Sequence, residues 1–155
     1  MTRARDARQP GAPWEGRPAA RVRARISWHE YLCGALVSTS IVALDGRVEA
    51  EVSDLPAERL IAGTPELQVR NFFTDTSQQF FAGRWSASRG KWRVRYTEHE
   101  FCVIIEGRVR IESVTGEKHE LRAGDAFVVP AGFEGIWEVT EPCKKWYSIF
   151  EPKGS

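Results

Sequence analysis

The chain has few cysteines, no long apolar run and almost no net charge. Its three cysteines are an odd number without CxxC spacing. That argues against a disulfide framework and a zinc ribbon, and it fits a reducing cytosol, the expected location. The longest apolar stretch, YLCGALVSTSIVAL (31–44), is too short and too interrupted by Ser and Thr for a membrane-spanning helix. No clean signal-peptide cleavage site follows it, so no membrane partner is expected. The net charge is +1, but it is unevenly placed. Residues 1–36 carry seven arginines against Asp6, Glu15 and Glu30, which leaves the remainder at −3. The globular part therefore has no broad basic field, and no nucleic-acid partner is expected. There is also no P-loop, no GxGxxG opening a helix and no GxSxG, which removes the common nucleotide-binding and nucleophile-elbow enzymes.

What is present is one domain's worth of β-rich sequence in 155 residues. Residues 1–25 are Arg, Pro, Ala and Gly with almost no aliphatic side chains, and residues 1–36 are read as a disordered extension. An RNA-binding or targeting arm is one reading of it. The arginines lack interleaved aromatics, which favours a solvated tail. From about residue 40, short strand-like runs alternate with turn residues: SIVAL, QVRNFFTD, QQFFAGRWSA, KWRVRYTE, EFCVIIEG, RVRIESV, KHELRAG, DAFVVPAG, EGIWEVTEP and KKWYSIFEP. This is the pattern of an all-β sandwich or barrel. Only DLPAERLIAG (54–63), with Pro56 near its start, is compatible with a helix. FCVII and FVV are apolar at every position and are expected to be buried on both faces, forming a seam that could serve as a subunit interface in a homodimer.

The chemistry concentrates in YTEHEFCVIIEG (96–107). If the strand is regular, Tyr96, Glu98, Glu100 and Cys102 share a face and His99 points the other way. Two inward carboxylates roughly 7 Å apart suit a hard cation such as Mg or Mn, or a coupled acid/base pair. The plainer alternative puts Glu98 at a solvated rim and pairs Glu100 with an arginine or lysine. Trp85, Trp92, Tyr96, Trp137 and Tyr147 are candidates for an aromatic pocket around a small ligand, or for core filling. Cys102 is either a thiol facing that pocket or a buried structural residue, the latter favoured because no histidine shares its face. Gly107 is expected at a hairpin end.

EFCVIIEGRVRI followed by LRAGDAFVVPAGFEGIWEV resembles the two motifs of the cupin superfamily. Gly90, Glu100 and Gly107 match the first motif, and Gly124, Pro130 and Gly132 the second. The texture is similar to small single-domain cupins of the (S)-ureidoglycine aminohydrolase and ethanolamine-utilisation group, over residues 44–151. The resemblance implies a double-stranded β-helix, or jelly-roll barrel, and a metal held by histidines and a glutamate inside it. The histidine positions here are Val94 and Tyr96, or Arg93 and Arg95 in the alternative spacing. The second-motif histidine position is Gly135, with Glu134 beside it. Of the implied ligand set Glu100 alone is present, so a divalent metal as cofactor rests on Glu100, and ureidoglycine aminohydrolase activity does not transfer.

The functional expectation is a small-molecule pocket inside the barrel. Glu98, Glu100 and Tyr96 are the catalytic candidates for an amino, ureido or hydroxy acid. Trp85, Trp92, Cys102, Trp137 and Tyr147 are the ligand-binding candidates. The competing readings are a non-catalytic binding module and a structural dimer. A carboxylate converging with at least two other polar groups in an open cavity favours the enzyme, an aromatic cavity with paired carboxylates favours the binding module, and a pocket filled by its own side chains favours the structural dimer.

Overall fold

The computed structural model describes residues 40–44 and 47–153; the extension at 1–36 lies outside the described residues. The described residues form nine strands: β1 (Glu51–Ser53), β2 (Leu60–Gly63), β3 (Leu67–Thr74), β4 (Phe80–Ala87), β5 (Gly90–Arg95), β6 (His99–Ser113), β7 (Lys118–Arg122), β8 (Ala126–Val129) and β9 (Glu134–Phe150). All pairings are antiparallel, and no helix occurs among the described residues. One path runs β1-β3-β4-β9-β5-β2, while β6 pairs with β7, β8 and β9. The two long strands, β6 and β9, belong to both halves of the curled sheet and close it into an all-β jelly-roll barrel.

Alternation decides what faces inward. Along β9, Gly135, Trp137, Val139, Cys143, Lys145, Tyr147 and Ile149 are buried while their neighbours reach the surface or stand half-buried. Along β6 the buried set is Glu100, Cys102 and Ile104, then Val109 and Ile111, so the parity switches from even to odd. The switch occurs where the register with β9 shifts repeatedly between Ile104 and Val109. Gly107 makes it possible, with φ of 79° and a position where a Cβ would collide with the Pro142 carbonyl. Gly107 thus has the expected positive φ, but it sits in a bulge of one continuous strand and not at a hairpin end. The runs read as EFCVIIEG and RVRIESV are a single strand, as are EGIWEVTEP and KKWYSIFEP.

Three further expectations are corrected. Residues 54–63 form no helix: Arg59 and Leu60 N–H donate to the Pro56 and Ala57 carbonyls in a short turn, and β2 follows, pairing Leu60 with Trp92. Cross-strand pairing with β5 outweighs the local helical pattern. SIVAL (40–44) is not a strand, and Ile41 is fully exposed. FCVII and FVV are buried on one face only, since Phe101 and Val128, paired across β6 and β8, are 48% and 60% exposed. Period-two geometry turns Cys102 and Ile104 inward and leaves an apolar outer face.

Candidate functional site

Seven of the eight sequence-predicted site residues line one cavity of about 90 Å³: Trp85, Trp92, Tyr96, Glu98, Glu100, Trp137 and Tyr147. Trp85 comes from β4, Trp92 from β5, Glu100 from β6, and Trp137 and Tyr147 from the two ends of β9. Tyr96 and Glu98 lie in the break between β5 and β6, where the strand is not continuous as expected. The break keeps the parity, because Tyr96 is tied to the turn between β8 and β9: its N–H donates to the Phe133 carbonyl and its carbonyl accepts from Gly132 N–H. The segment from Ser53 to Arg59 covers another side of the cavity, with Arg93, Val94 and Arg95 beside it. Against the ~300–1,000 Å³ typical of drug-sized sites this is a small space, with room for a handful of heavy atoms.

The floor holds a side chain that sequence reasoning missed. Lys145, 3% exposed, lines the cavity and places Nζ 2.9 Å from Glu100 Oε1. Nζ also donates to Cys102 Sγ at 3.2 Å and stands 4.7 Å from the Trp137 ring centroid and 5.3 Å from that of Trp85. The signal was available: Lys145 shares parity with Tyr147, which was already read as inward. Burial works against the Lys145 charge, but the facing Cys102 and Glu100 outweigh it and hold the ammonium well above the usual lysine range. Cys102 lies behind Lys145 and does not line the cavity; burial pushes its thiol up to about 12. Glu100 is therefore the carboxylate of a buried ion pair.

Glu98 differs. It is half-buried, and its Oε2 accepts from Thr97 N–H at 2.8 Å and from Thr97 Oγ1 at 3.0 Å. Burial raises its carboxyl above the usual range, more than these hydrogen bonds lower it. Burial likewise raises the Tyr96 and Tyr147 phenols, and the Tyr147 hydroxyl accepts from the Asn71 side-chain amide N–H at 3.1 Å. Trp137 Nε1 is a buried donor without a hydrogen-bond partner among the described residues. The lining has four cationic side chains (Arg59, Arg93, Arg95, Lys145) against three carboxylates (Asp54, Glu98, Glu100). His99 is exposed and turned from the cavity, its Nδ1 accepting from Ala131 N–H at 3.2 Å.

The residues present do not fit a metal. Among the described residues no group of three or more His, Cys, Asp or Glu side chains converges. A divalent ion on Glu100 would stand against the Lys145 ammonium. Gly135, at the remaining histidine position, is buried where a Cβ would collide with the Glu112 carbonyl and crowd the Phe133 ring.

A curled antiparallel sheet with a small aromatic cavity between its halves defines a cupin barrel. Residues 74–147 match the model of the EutQ-like cupin domain, and the chain carries a small cupin of that group. It is similar to a protein of unknown function of the DUF861 family from Pseudomonas syringae pv. tomato str. DC3000, at 26% identity and a TM-score of 0.62 over 68% of this chain. The chain spans just under half, 46%, of that protein's length. A putative ethanolamine utilization protein Q from Salmonella typhimurium LT2 shares the fold at 13% identity and a TM-score of 0.52, covering 70% of this chain and 100% of its own. Ectoine synthase from P. lautus shares it at 17% identity and a TM-score of 0.51, covering 62% of this chain and 71% of its own. Among curated proteins nothing matches the chain. Among the described residues, no helix is long and apolar enough to cross a membrane.

Proposed function

We propose that this cupin binds a small polar metabolite in the cavity floored by the Glu100–Lys145 pair. The observation that carries the reading is convergence: Trp85, Trp92, Trp137, Tyr96, Glu98 and Lys145 reach one cavity from separate parts of the barrel. Glu100 is held by Lys145 at 2.9 Å, which favours a binding module over a reaction that needs Glu100 as a free base. An enzymatic role falls to Glu98, whose raised carboxyl is suited to donate a proton, with Tyr96 orienting the ligand. A thermal-shift screen of small amino, ureido and hydroxy acids tests the binding. Stabilisation that disappears in Tyr96→Phe and Glu98→Gln variants is expected, and a screen in which no compound shifts the melting temperature would count against the pocket.

The outer face supports a second proposal, a homodimer in a reducing cytosol. Phe80, Phe101, Val128 and Phe150 are each at least 40% exposed, with Phe80 opposite Phe150 and Phe101 opposite Val128 in register. Sedimentation of the wild type as a dimer and of Phe101→Asp as a monomer is the expected result. A monomeric wild type at high micromolar concentration would refute it.

A further inference from the structure

The cation facing Glu100 belongs to the chain itself. Nζ and Oε1 lie 2.9 Å apart, and the two side chains are 4% and 6% exposed. At this depth the pair is shielded from solvent ions, and the ammonium stands where an ion bound to Glu100 would have to be. Lysine offers three N–H donors. Glu100 takes one and Cys102 Sγ a second, which leaves a third on a side chain that lines the cavity. Trp137 adds an indole N–H without a partner among the described residues. An ammonium with a spare donor, an indole N–H beside it and a volume near 90 Å³ specify a ligand with few atoms, an acceptor oxygen and a negative charge.

We infer that the Lys145 ammonium takes the place of a metal ion as the fixed cation of this cavity and holds a small carboxylate ligand through its third N–H. The inference rests on the pocket reading above and adds to it both the ligand class and the group that binds it. It also assigns Glu100 a positioning role, since the ion pair fixes the ammonium between the Trp85 and Trp137 rings, at 5.3 and 4.7 Å. The two indoles so close to Nζ make tryptophan emission a direct reporter of occupancy.

The test titrates the full-length chain with glycolate and with its uncharged amide, glycolamide, following tryptophan emission. The Glu100→Gln/Lys145→Met double variant serves as the control, because it removes both charges together and leaves no unpaired ion in the core. The wild type is expected to show a saturable change with glycolate, about tenfold or more weaker with glycolamide and weaker by a similar factor in the double variant. After dialysis against Mn and Zn and removal of free ions, elemental analysis is expected to find well under one metal per chain. Equal glycolate binding by wild type and double variant would overturn the assignment to Lys145 while leaving the pocket standing. Stoichiometric metal that Glu100→Gln loses would overturn the replacement of the ion. A wild type that responds to neither probe would overturn the pocket reading itself.

Discussion

Replacing Lys145 by methionine keeps most of the side-chain volume and deletes the charge. The substitution strands the Glu100 carboxylate, 5% exposed, among Trp85, Trp137 and Cys102. At 2.9 Å the direct attraction is about 6 kcal/mol at an effective dielectric constant of about 20. Most of that is offset by several kcal/mol of desolvation for each ion, so the intact pair is worth little net. Breaking it is different, because one ion keeps its desolvation cost without its partner. The expected loss for Lys145→Met is about 3–5 kcal/mol near pH 7. The Glu100→Gln/Lys145→Met double variant should lose only about 0–2 kcal/mol, giving a coupling of about 2–3 kcal/mol. Urea denaturation of the wild type, Lys145→Met, Glu100→Gln and the double variant at about pH 7, with matched m-values, measures this. A single variant within about 1 kcal/mol of wild type at pH 7, or a double variant that loses the sum of the singles, would refute the reasoning.

Three more outcomes follow from the same geometry. Gly135→His, which restores the residue of the metal-holding motif, should destabilise the barrel by about 2 kcal/mol or more because its Cβ meets the Glu112 carbonyl, and denaturation midpoints report it. Glu98→Gln should be neutral or stabilising above the Glu98 pKa: a carboxyl raised by burial contributes its stability below the unfolded value and loses it as pH rises through the folded one, as a pH series of melting temperatures will show. Asp75 accepts from the N–H groups of Ser77, Gln79 and Phe80 in the turn before β4, and its carboxyl is lowered to about 2, chiefly by the hydrogen bonds from the Ser77 side chain and Phe80 N–H. Asp75→Ala should therefore cost about 1 kcal/mol at neutral pH, a difference that fades as pH falls from about 4 through about 2, seen in acid-unfolding curves.

The fold was legible because turn glycines and period-two alternation are local signals. Tyr96, Glu98 and Glu100 read as one face, and all three line the cavity even though the strand breaks at Tyr96. The parity change in β6 was not legible. It comes from a bulge around Gly107 that is set by the Pro142 carbonyl of β9, a contact remote in sequence. Residues 54–63 carried a helical pattern whose outcome was decided by pairing with β5, again a long-range term. At the site, Tyr96 and both carboxylates were visible from one segment's alternation, and the other aromatic residues as candidates scattered over β4, β5 and β9. Lys145 was not singled out, because a lysine within KKWYSIF reads as surface charge unless its parity with Tyr147 is weighed above its polarity. Glu100 was seen correctly as inward, but its partner sits 45 residues away in the sequence.

The most direct test of the account is an X-ray structure of the full chain purified in the presence of Mn, with anomalous data collected at the Mn edge. The account predicts Lys145 Nζ within hydrogen-bond distance of Glu100 Oε1 and no anomalous peak in the cavity. A Mn peak ligated by Glu100, with the Lys145 side chain displaced from between Trp85 and Trp137, would contradict it.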